Sequence, residues 1–144
     1  MNAKTILLVE DNPQDEMLAL RALRKANLAH QVDVARDGQE ALDYLFREGK
    51  FRNRGEPHLP TVVLLDLNLP RIGGLEVLER LRGHPLTRLL PVVILSSSDE
   101  GRDRLRSYEN GANSFVRKPV KFMQFAETVA QLGTYWLALN DPPQ

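Results

Sequence analysis

The stretch VVLLDLNLP at positions 62–70 decides the fold. Its first four residues form an apolar run of strand length that leads directly into the carboxylate of Asp66. A continuous apolar run, unlike an alternation of apolar and polar residues, is typical of a strand whose two faces are both covered by helices. The stretch therefore predicts a buried strand of a parallel sheet, with Asp66 at its carboxyl end.

Four further runs of strand length lie on either side of this one, at residues 5–9, 31–35, 91–95 and 114–116. Segments of helical period separate them, with apolar stripes at Ala19, Ala22, Leu23 and Ala26, and at Leu75, Leu78 and Leu81. This order, βαβαβαβαβα, predicts an α/β domain built on a parallel sheet. The 144 residues fit one domain, 1–144, with a core at about 4–132 and an extended C-terminal helix and tail at 133–144.

Capping residues place two helix starts. Asn12 stands before Pro13, which is a capping side chain followed by the residue favoured at the first helical position. Asp37 is followed three residues later by Glu40, which is a capping-box pattern. Each pair comes directly after a predicted strand, so each marks a strand-to-helix turn.

The predicted helix at about 99–110 is poor in apolar residues. Only Leu105 and Tyr108 are sizeable apolar side chains within it. An element that buries little apolar surface opens locally at low cost in free energy. We therefore expect this helix to be the mobile part of the domain.

The last predicted helix, from about residue 121, has the opposite character. Its apolar residues are Phe122, Phe125, Ala126 and Val129 on one stripe, followed by Leu132, Tyr135, Trp136 and Leu139. This is more apolar surface than one core requires. Two interpretations stay open: a longer helix that covers the edge of the sheet, or a surface for self-association.

Composition excludes several classes of function. Nineteen basic residues balance nineteen acidic ones, so the overall charge of a nucleic-acid-binding protein is missing. We interpret the local basic cluster as a solvated loop; it consists of Arg47, Lys50, Arg52 and Arg54. The chain has no cysteine, no apolar stretch of about 20 residues and no signal-peptide pattern, from which we expect a cytoplasmic protein without a membrane anchor. His30, His58 and His84 lack metal-ligand spacing, and we interpret them as solvated or turn residues.

Side chains with useful chemistry follow four of the predicted strands. Glu10 and Asp11 follow the first, Asp66 the third, Ser96 the fourth and Lys118 the fifth. Ligands of open parallel sheets bind at the carboxyl ends of the strands. We therefore expect three carboxylates, a hydroxyl and an ammonium group to meet at one edge of the sheet.

Three neighbouring carboxylates repel one another unless a cation neutralises them. Mg²⁺ suits such a site, with Asp11 and Asp66 as direct ligands and Glu10 acting largely through water. Transfer of a phosphoryl group depends mainly on positioning and on neutralising the charge of its oxygens. The residues thus predict Asp66 as a nucleophile that accepts a phosphoryl group, with Mg²⁺, Lys118 and Ser96 as the clamp.

The chain resembles the receiver domains of response regulators over nearly its whole length. The resemblance rests on four motifs in order: the acidic pair at 10–11, LLDLNLP at 64–70 with Gly73 and Gly74, PVVILS at 91–96, and GA-x-x-F-x-x-KP at 111–119. It implies a flavodoxin-like, doubly wound (βα)5 fold whose five-stranded parallel sheet has the order 2-1-3-4-5. It also implies that the protein is a signalling switch and not an enzyme in the usual sense.

The resemblance further implies specific roles. Asp66 accepts phosphate from a histidine of a sensor histidine kinase, and Glu10, Asp11, Asp66 and the main-chain carbonyl of Asn68 hold Mg²⁺. Ser96 and Lys118 bind the phosphoryl oxygens, Phe115 is the aromatic switch residue coupled to Ser96, and the peptide bond before Pro119 is cis. Glu10 departs from the commoner aspartate and Ser96 from the commoner threonine, but each keeps the charge or the hydroxyl.

The loop at 47–60 and the ending at 135–140 resemble the stand-alone receivers paired with bacterial phytochrome kinases. This implies a bacteriophytochrome as the kinase, a homodimer formed through the final helix and neighbouring elements, and a downstream protein that the sequence does not identify.

Two other functions stay open. An apolar strand ending in Asp66 also opens the aspartate-nucleophile phosphatases of the haloacid dehalogenase type, which want a second aspartate where Asn68 stands. The chain is alternatively a binding module that keeps the receiver fold without being phosphorylated. The retained Asp66, Ser96 and Lys118 count against that last interpretation.

Overall fold

The computed structural model describes residues 4–27, 32–52, 59–98 and 100–143. Its strands are β1 (Ile6–Val9), β2 (Val32–Ala35), β3 (Val62–Asp66), β4 (Val92–Ser96) and β5 (Ser114–Arg117). Its α-helices are α1 (Pro13–Lys25), α2 (Gly38–Phe46), α3 (Gly74–Arg82), α4 (Gly101–Glu109) and α5 (Phe122–Thr134). A short 3-10 turn, Gly49–Phe51, follows α2, and α5 continues into a π-helical turn, Tyr135–Leu139.

The five strands form one parallel sheet in the order β2-β1-β3-β4-β5. This confirms the predicted fold class and strand order. In register, Asp66 of β3 lies beside Leu95 of β4, and Ser96 lies beside Arg117 of β5. The carboxyl ends of these strands therefore meet at one edge of the sheet.

Helices cover both faces of the sheet. Every residue of β1, β3 and β4 is buried, as the continuous apolar runs predicted. One face packs against α2 and α3 through Ala41, Leu42, Leu45, Val77, Leu78 and Leu81. The other face packs against α1 and α5 through Ala19, Ala22, Leu23, Phe125 and Val129. Both helical layers hold the strand ends in a fixed arrangement.

Both predicted helix caps are confirmed. The Asn12 side-chain carbonyl accepts hydrogen bonds from the backbone N–H groups of Gln14 and Asp15, at 2.9 and 3.1 Å, and Pro13 opens α1. The Asp37 carboxylate accepts one from the N–H of Glu40 at 2.7 Å. Only three residues, 10–12, separate β1 from α1, so the Asn12 cap at the end of this connection restricts where their side chains point.

Two apolar stripes are shorter than predicted. Ala26 is exposed because it is the C-cap of α1 and no longer lies over the sheet. Phe122 is 64% exposed because it begins α5, where side chains tilt toward the helix N-terminus and away from the core. The buried part of the last helix instead runs from Phe125 through Val129 to Leu137.

Helix α4 has the weak anchorage that the sequence predicted. Leu105 and Tyr108 are 60% and 48% exposed, and Ser107 is its only buried residue. The mobility of this helix stays a prediction.

Position 99, where the sequence placed the start of α4, lies outside the described residues, as do His30, His58 and Arg54. His84 occupies a turn, where its Nδ1 accepts a hydrogen bond from the N–H of Leu86 at 3.0 Å.

Among the described residues, the helices are too short or too polar for any of them to span a bilayer.

Candidate functional site

Backbone hydrogen bonds fix the residues that follow the strands. Glu10 continues β1, and its N–H donates to the carbonyl of Ala35 at 2.9 Å. Lys118 continues β5, and its N–H donates to the carbonyl of Ser96 at 2.8 Å. The sheet ladder thus extends one residue beyond each strand, and it carries both side chains to the same edge as Asp66.

The ammonium group of Lys118 lies at the centre of the site. Its Nζ is 2.7 Å from Glu10 Oε1, 3.0 Å from Asp66 Oδ2 and 3.1 Å from Asp15 Oδ2. The side chains of Lys118, Glu10 and Asp66 are each no more than 10% exposed. The predicted convergence of carboxylates from β1 and β3 with the amine after β5 is therefore present.

Asp11 completes a cluster of three carboxylates. Ligand oxygens of Glu10, Asp11 and Asp66 all lie within 4.8 Å of one another. Asp11 is exposed, whereas Glu10 and Asp66 are buried. The cluster therefore opens to solvent on the side of Asp11, where an ion can enter.

Burial and like charges shift the acid–base properties of this site. Burial raises the pKa of Glu10 to about 7, and the charge of Asp66 adds to this, while the hydrogen bond from Lys118 opposes it. For Lys118, burial alone would lower the pKa, but the hydrogen bond with Glu10 and the charge of Asp66 outweigh it and raise the pKa above its ordinary value. Lys118 is therefore cationic at neutral pH.

The loop after β3 holds Asp66 in place. The N–H of Asn68 donates to Asp66 Oδ1 at 3.1 Å, and the N–H of Gly74 donates to the carbonyl of Leu67 at 3.0 Å. A Cβ at position 74 would lie 2.4 Å from the Asp66 carbonyl oxygen, so only glycine permits this close approach. The Gly-Gly pair thus forms a helix-entry turn, with Gly73 as the N-cap of α3.

Ser96 is fully buried at the end of β4, and its Oγ accepts a hydrogen bond from the N–H of Ser98 at 3.0 Å. Phe115 is half-buried in β5 and packs on the α2–α3 side of the sheet. The switch role of both residues and their coupling stay predictions. The expected cis bond before Pro119 is wrong: no cis peptide occurs in the described residues, and trans is the favoured isomer even before proline.

Asp15 is the site residue that the sequence did not reveal. It lies in the first turn of α1, where an acidic residue is ordinarily explained by the helix dipole. The signal that could have found it is its place one turn after the Asn12 cap. The short connection from β1 aims this turn of α1 at the strand ends.

The donor set fits a hard divalent cation. Clustered carboxylate oxygens with access to solvent are what Mg²⁺ prefers, and the cluster contains no nitrogen or sulfur ligand. Glu10, Asp11 and Asp66 are the residues that would hold the ion. The Asn68 carbonyl stays a predicted fourth ligand.

The family model of the response regulator receiver domain matches residues 6–130. This chain belongs to that family. As such it is a receiver domain of two-component signalling and a switch, not an enzyme in the usual sense, and the phosphatase alternative is not favoured. Phosphorylation on an aspartate and a divalent metal at the acidic pocket are typical of receiver domains.

Three relatives locate this receiver domain within the family. It is 40% identical to the probable methanogenesis regulatory protein FilR2 of Methanothrix harundinacea, over 96% of this chain and 86% of that protein. It is 52% identical to the bacteriophytochrome response regulator AtBRR, with a TM-score of 0.77 over 98% and 100% of the two chains. The Mn²⁺-bound structure of the response regulator Rcp1, a protein of Synechocystis, has a TM-score of 0.90 at 32% identity over 99% and 100%. The receiver domain is thus homologous to phytochrome response regulators.

Proposed function

We propose that this response regulator accepts a phosphoryl group on Asp66 from the phosphohistidine of a bacteriophytochrome-type sensor histidine kinase, with Mg²⁺ as its metal. One observation carries the proposal. The carboxylate of Asp66 is buried, 3.0 Å from the ammonium of Lys118 and within 4.8 Å of carboxylate oxygens of Glu10 and Asp11. An acceptor oxygen, a cation for the phosphoryl oxygens and a set of metal ligands thus stand together.

The transfer itself needs little covalent chemistry from the protein. A carboxylate oxygen of Asp66 attacks phosphorus, a P–O bond forms, and the N–P bond of the donor breaks with its electron pair left on the imidazole nitrogen. Lys118 Nζ already lies 3.0 Å from Asp66, so it is placed to donate to a phosphoryl oxygen. Bound Mg²⁺ would neutralise charge on the phosphoryl oxygens and on the carboxylates that hold it.

Ser96 is the proposed third contact to the phosphoryl group. Its hydroxyl is at the end of β4, one residue beyond the partner of Asp66 in the sheet register. Its Oγ now accepts from the N–H of Ser98, so a turn of the Ser96 side chain toward a phosphoryl oxygen would release the loop that leads to α4. We propose that the Phe115 side chain in β5 moves together with Ser96.

The kinase assignment is supported by the similarity to AtBRR, which is named a bacteriophytochrome response regulator. FilR2, which is 40% identical, is instead named a probable methanogenesis regulatory protein. Phosphotransfer from a purified bacteriophytochrome kinase, compared with an unrelated sensor kinase at equal concentration, tests the assignment. Equal transfer from both would remove the support for this partner.

The proposal includes a cytoplasmic location and a homodimer through the C-terminal elements. Large apolar side chains are exposed on α5 and the π-helical turn that follows: Phe122, Met123, Tyr135 and Leu139. Such a surface is typical of a protein–protein contact. Sedimentation of wild type and Leu139→Lys tests it: the wild type should sediment as a dimer and the variant as a monomer. We propose that the signal passes to a downstream protein whose identity the described residues do not indicate.

A binding module without phosphorylation is the competing function. Incubation of the protein with acetyl phosphate, with Mg²⁺ or with EDTA, separates the two by intact mass. We expect one added phosphoryl group in Mg²⁺, none in EDTA and none in Asp66→Asn. An unmodified wild type in Mg²⁺ would favour the binding module.

A further inference from the structure

Lys118 has no spare hydrogen-bond donor in this structure. An ammonium group carries three N–H donors, and its Nζ contacts one oxygen each of Glu10, Asp66 and Asp15. A phosphoryl oxygen can therefore bind Lys118 only if it displaces one of these carboxylates. Which carboxylate competes for the amine decides how firmly the phosphoryl group is held.

Two of the three carboxylates have an alternative partner, a cation bound at the acidic cluster. Glu10 and Asp66 belong to the acidic cluster that fits a divalent cation, and Asp66 is also the proposed acceptor. A cation bound there offsets their charge and weakens their hold on Lys118. Asp15 does not belong to this cluster, so it would not be a ligand of the metal and would keep its carboxylate free for Lys118.

Asp15 is also held toward Lys118 by its backbone. Its N–H is bonded to the Asn12 cap at 3.1 Å, which fixes the first turn of α1 over the strand ends. The Asp15 side chain is 30% exposed, against 9% for Asp66. Of the three carboxylates that contact the amine, Asp15 is therefore the one most accessible to solvent.

We propose that Asp15 is a positioning residue that competes with the phosphoryl group for Lys118 and so weakens the hold of the site on the phosphorylated state. The inference rests on the proposed phosphorylation of Asp66 and deepens it, because it assigns a residue outside the metal cluster to the stability of that state. Removing the charge of Asp15 frees one donor of Lys118 for a phosphoryl oxygen. It also removes one negative charge from beside an incoming dianion.

The expected effect is modest because solvent screens a pair that is partly exposed. Pairs of this kind contribute up to about 1 kcal/mol, which corresponds to an affinity change of about two- to fivefold. Asp15→Asn keeps the shape of the side chain and removes its charge. We expect this variant to bind beryllium trifluoride, an analogue of the phosphoryl group, about two- to fivefold more tightly than wild type at saturating Mg²⁺.

Glu16→Gln is the matched control. Glu16 lies in the same turn of α1, but its carboxylate pairs with Arg36 at 2.8 Å instead of Lys118. Both variants remove one negative charge from the start of the same helix, so they share any general effect on helix stability or on the field of the protein. Only Asp15→Asn should change the affinity, and Asp15→Glu, which restores the charge, should return it toward the wild-type value.

Affinity measured by titration calorimetry, together with KM and kcat for phosphorylation by acetyl phosphate, decides the matter. Tighter binding and a lower KM in Asp15→Asn alone support the inference. Unchanged or weaker binding in Asp15→Asn overturns it, and so does an equal gain in Glu16→Gln. If the wild type neither binds the analogue nor is phosphorylated, the proposed function is wrong. If the wild type does both and Asp15→Asn binds the analogue with the same affinity, only the proposed role of Asp15 is wrong.

Discussion

Lys118 and Glu10 form an ion pair of 2.7 Å although 108 positions separate them in the sequence. Glu10 follows β1 and Lys118 follows β5, and β3 and β4 lie between those strands in the sheet. The pair can therefore exist only when the central sheet is complete. The chemistry of the site and the integrity of the fold are linked through this amine.

Removal of the amine should destabilise the metal-free protein. Lys118→Gln leaves Glu10 and Asp66 buried without their cation, and breaking a buried pair in this way costs about 3 kcal/mol. Urea unfolding in EDTA measures the loss, and Mg²⁺ should restore more stability to the variant than it adds to wild type. Lys121→Gln, at an exposed lysine three residues on, is the control and should unfold like wild type. A Lys118→Gln protein as stable as wild type in EDTA would show that the pair contributes nothing.

Removal of the acceptor charge should have the opposite effect on stability. Three carboxylates contact the amine of Lys118, and Asp11 lies close to two of them, so Asp66→Asn relieves repulsion while Lys118 keeps its contacts with Glu10 and Asp15. We expect a gain of about 1 kcal/mol in the free energy of unfolding without metal, at the expense of phosphorylation. We also expect Mg²⁺ to raise the melting temperature of this variant less than that of wild type. A variant less stable than wild type in EDTA would contradict the repulsion.

Only glycine should be tolerated at position 74. The Cβ of Gly74→Ala would lie 2.4 Å from the Asp66 carbonyl oxygen and 2.7 Å from the Leu67 Cα, and these backbone atoms cannot move aside cheaply. We expect a loss of about 1–3 kcal/mol in the free energy of unfolding and slower phosphorylation, because Asp66 must shift. In Gly73→Ala the nearest atom, the Leu67 carbonyl oxygen, is 3.8 Å away, so this variant should behave like wild type. Equal behaviour of the two variants in urea unfolding would refute the steric account.

Hydrogen bonds of Ser98 should stabilise the start of α4 next to the site. Its Oγ donates to Asp103 Oδ2 at 2.7 Å and accepts from the N–H of Glu100 at 3.2 Å. Ser98→Ala removes both bonds from the helix with the least apolar burial, so amide exchange in α4 should be about fivefold faster, as expected for a loss of about 1 kcal/mol. Exposed Ser97 provides the control variant Ser97→Ala. Exchange in α4 that is unchanged by Ser98→Ala would count against this stabilisation.

Much of the fold was predictable because its signals are local. Apolar runs placed β1, β3 and β4 within a residue of their observed ends, and Asn12 and Asp37 marked the helix starts through their own side-chain caps. The meeting of Glu10, Asp66 and Lys118 followed from topology, since parallel strands share one carboxyl edge.

The remaining features depend on packing across elements, which residue types do not encode. Asp15 contacts Lys118 because of the angle at which α1 leaves β1, and a sequence does not give that angle. Phe122 is a large apolar residue of the kind that usually lies in a core, but its place at the first position of α5 leaves it exposed. The π-helical turn at Tyr135–Leu139 likewise depends on tertiary contacts, since Leu137 is buried and its carbonyl accepts a hydrogen bond from Lys4 at 2.6 Å.

The position of the phosphoryl group on the chain tests the central claim most directly. After incubation with acetyl phosphate and Mg²⁺, reduction with borohydride converts an aspartyl phosphate to homoserine, which peptide mass spectrometry locates. We predict homoserine at position 66 in wild type and at no position in the EDTA sample. Homoserine at another aspartate, or at none, would contradict the assignment of Asp66 as the acceptor between Lys118 and the acidic cluster.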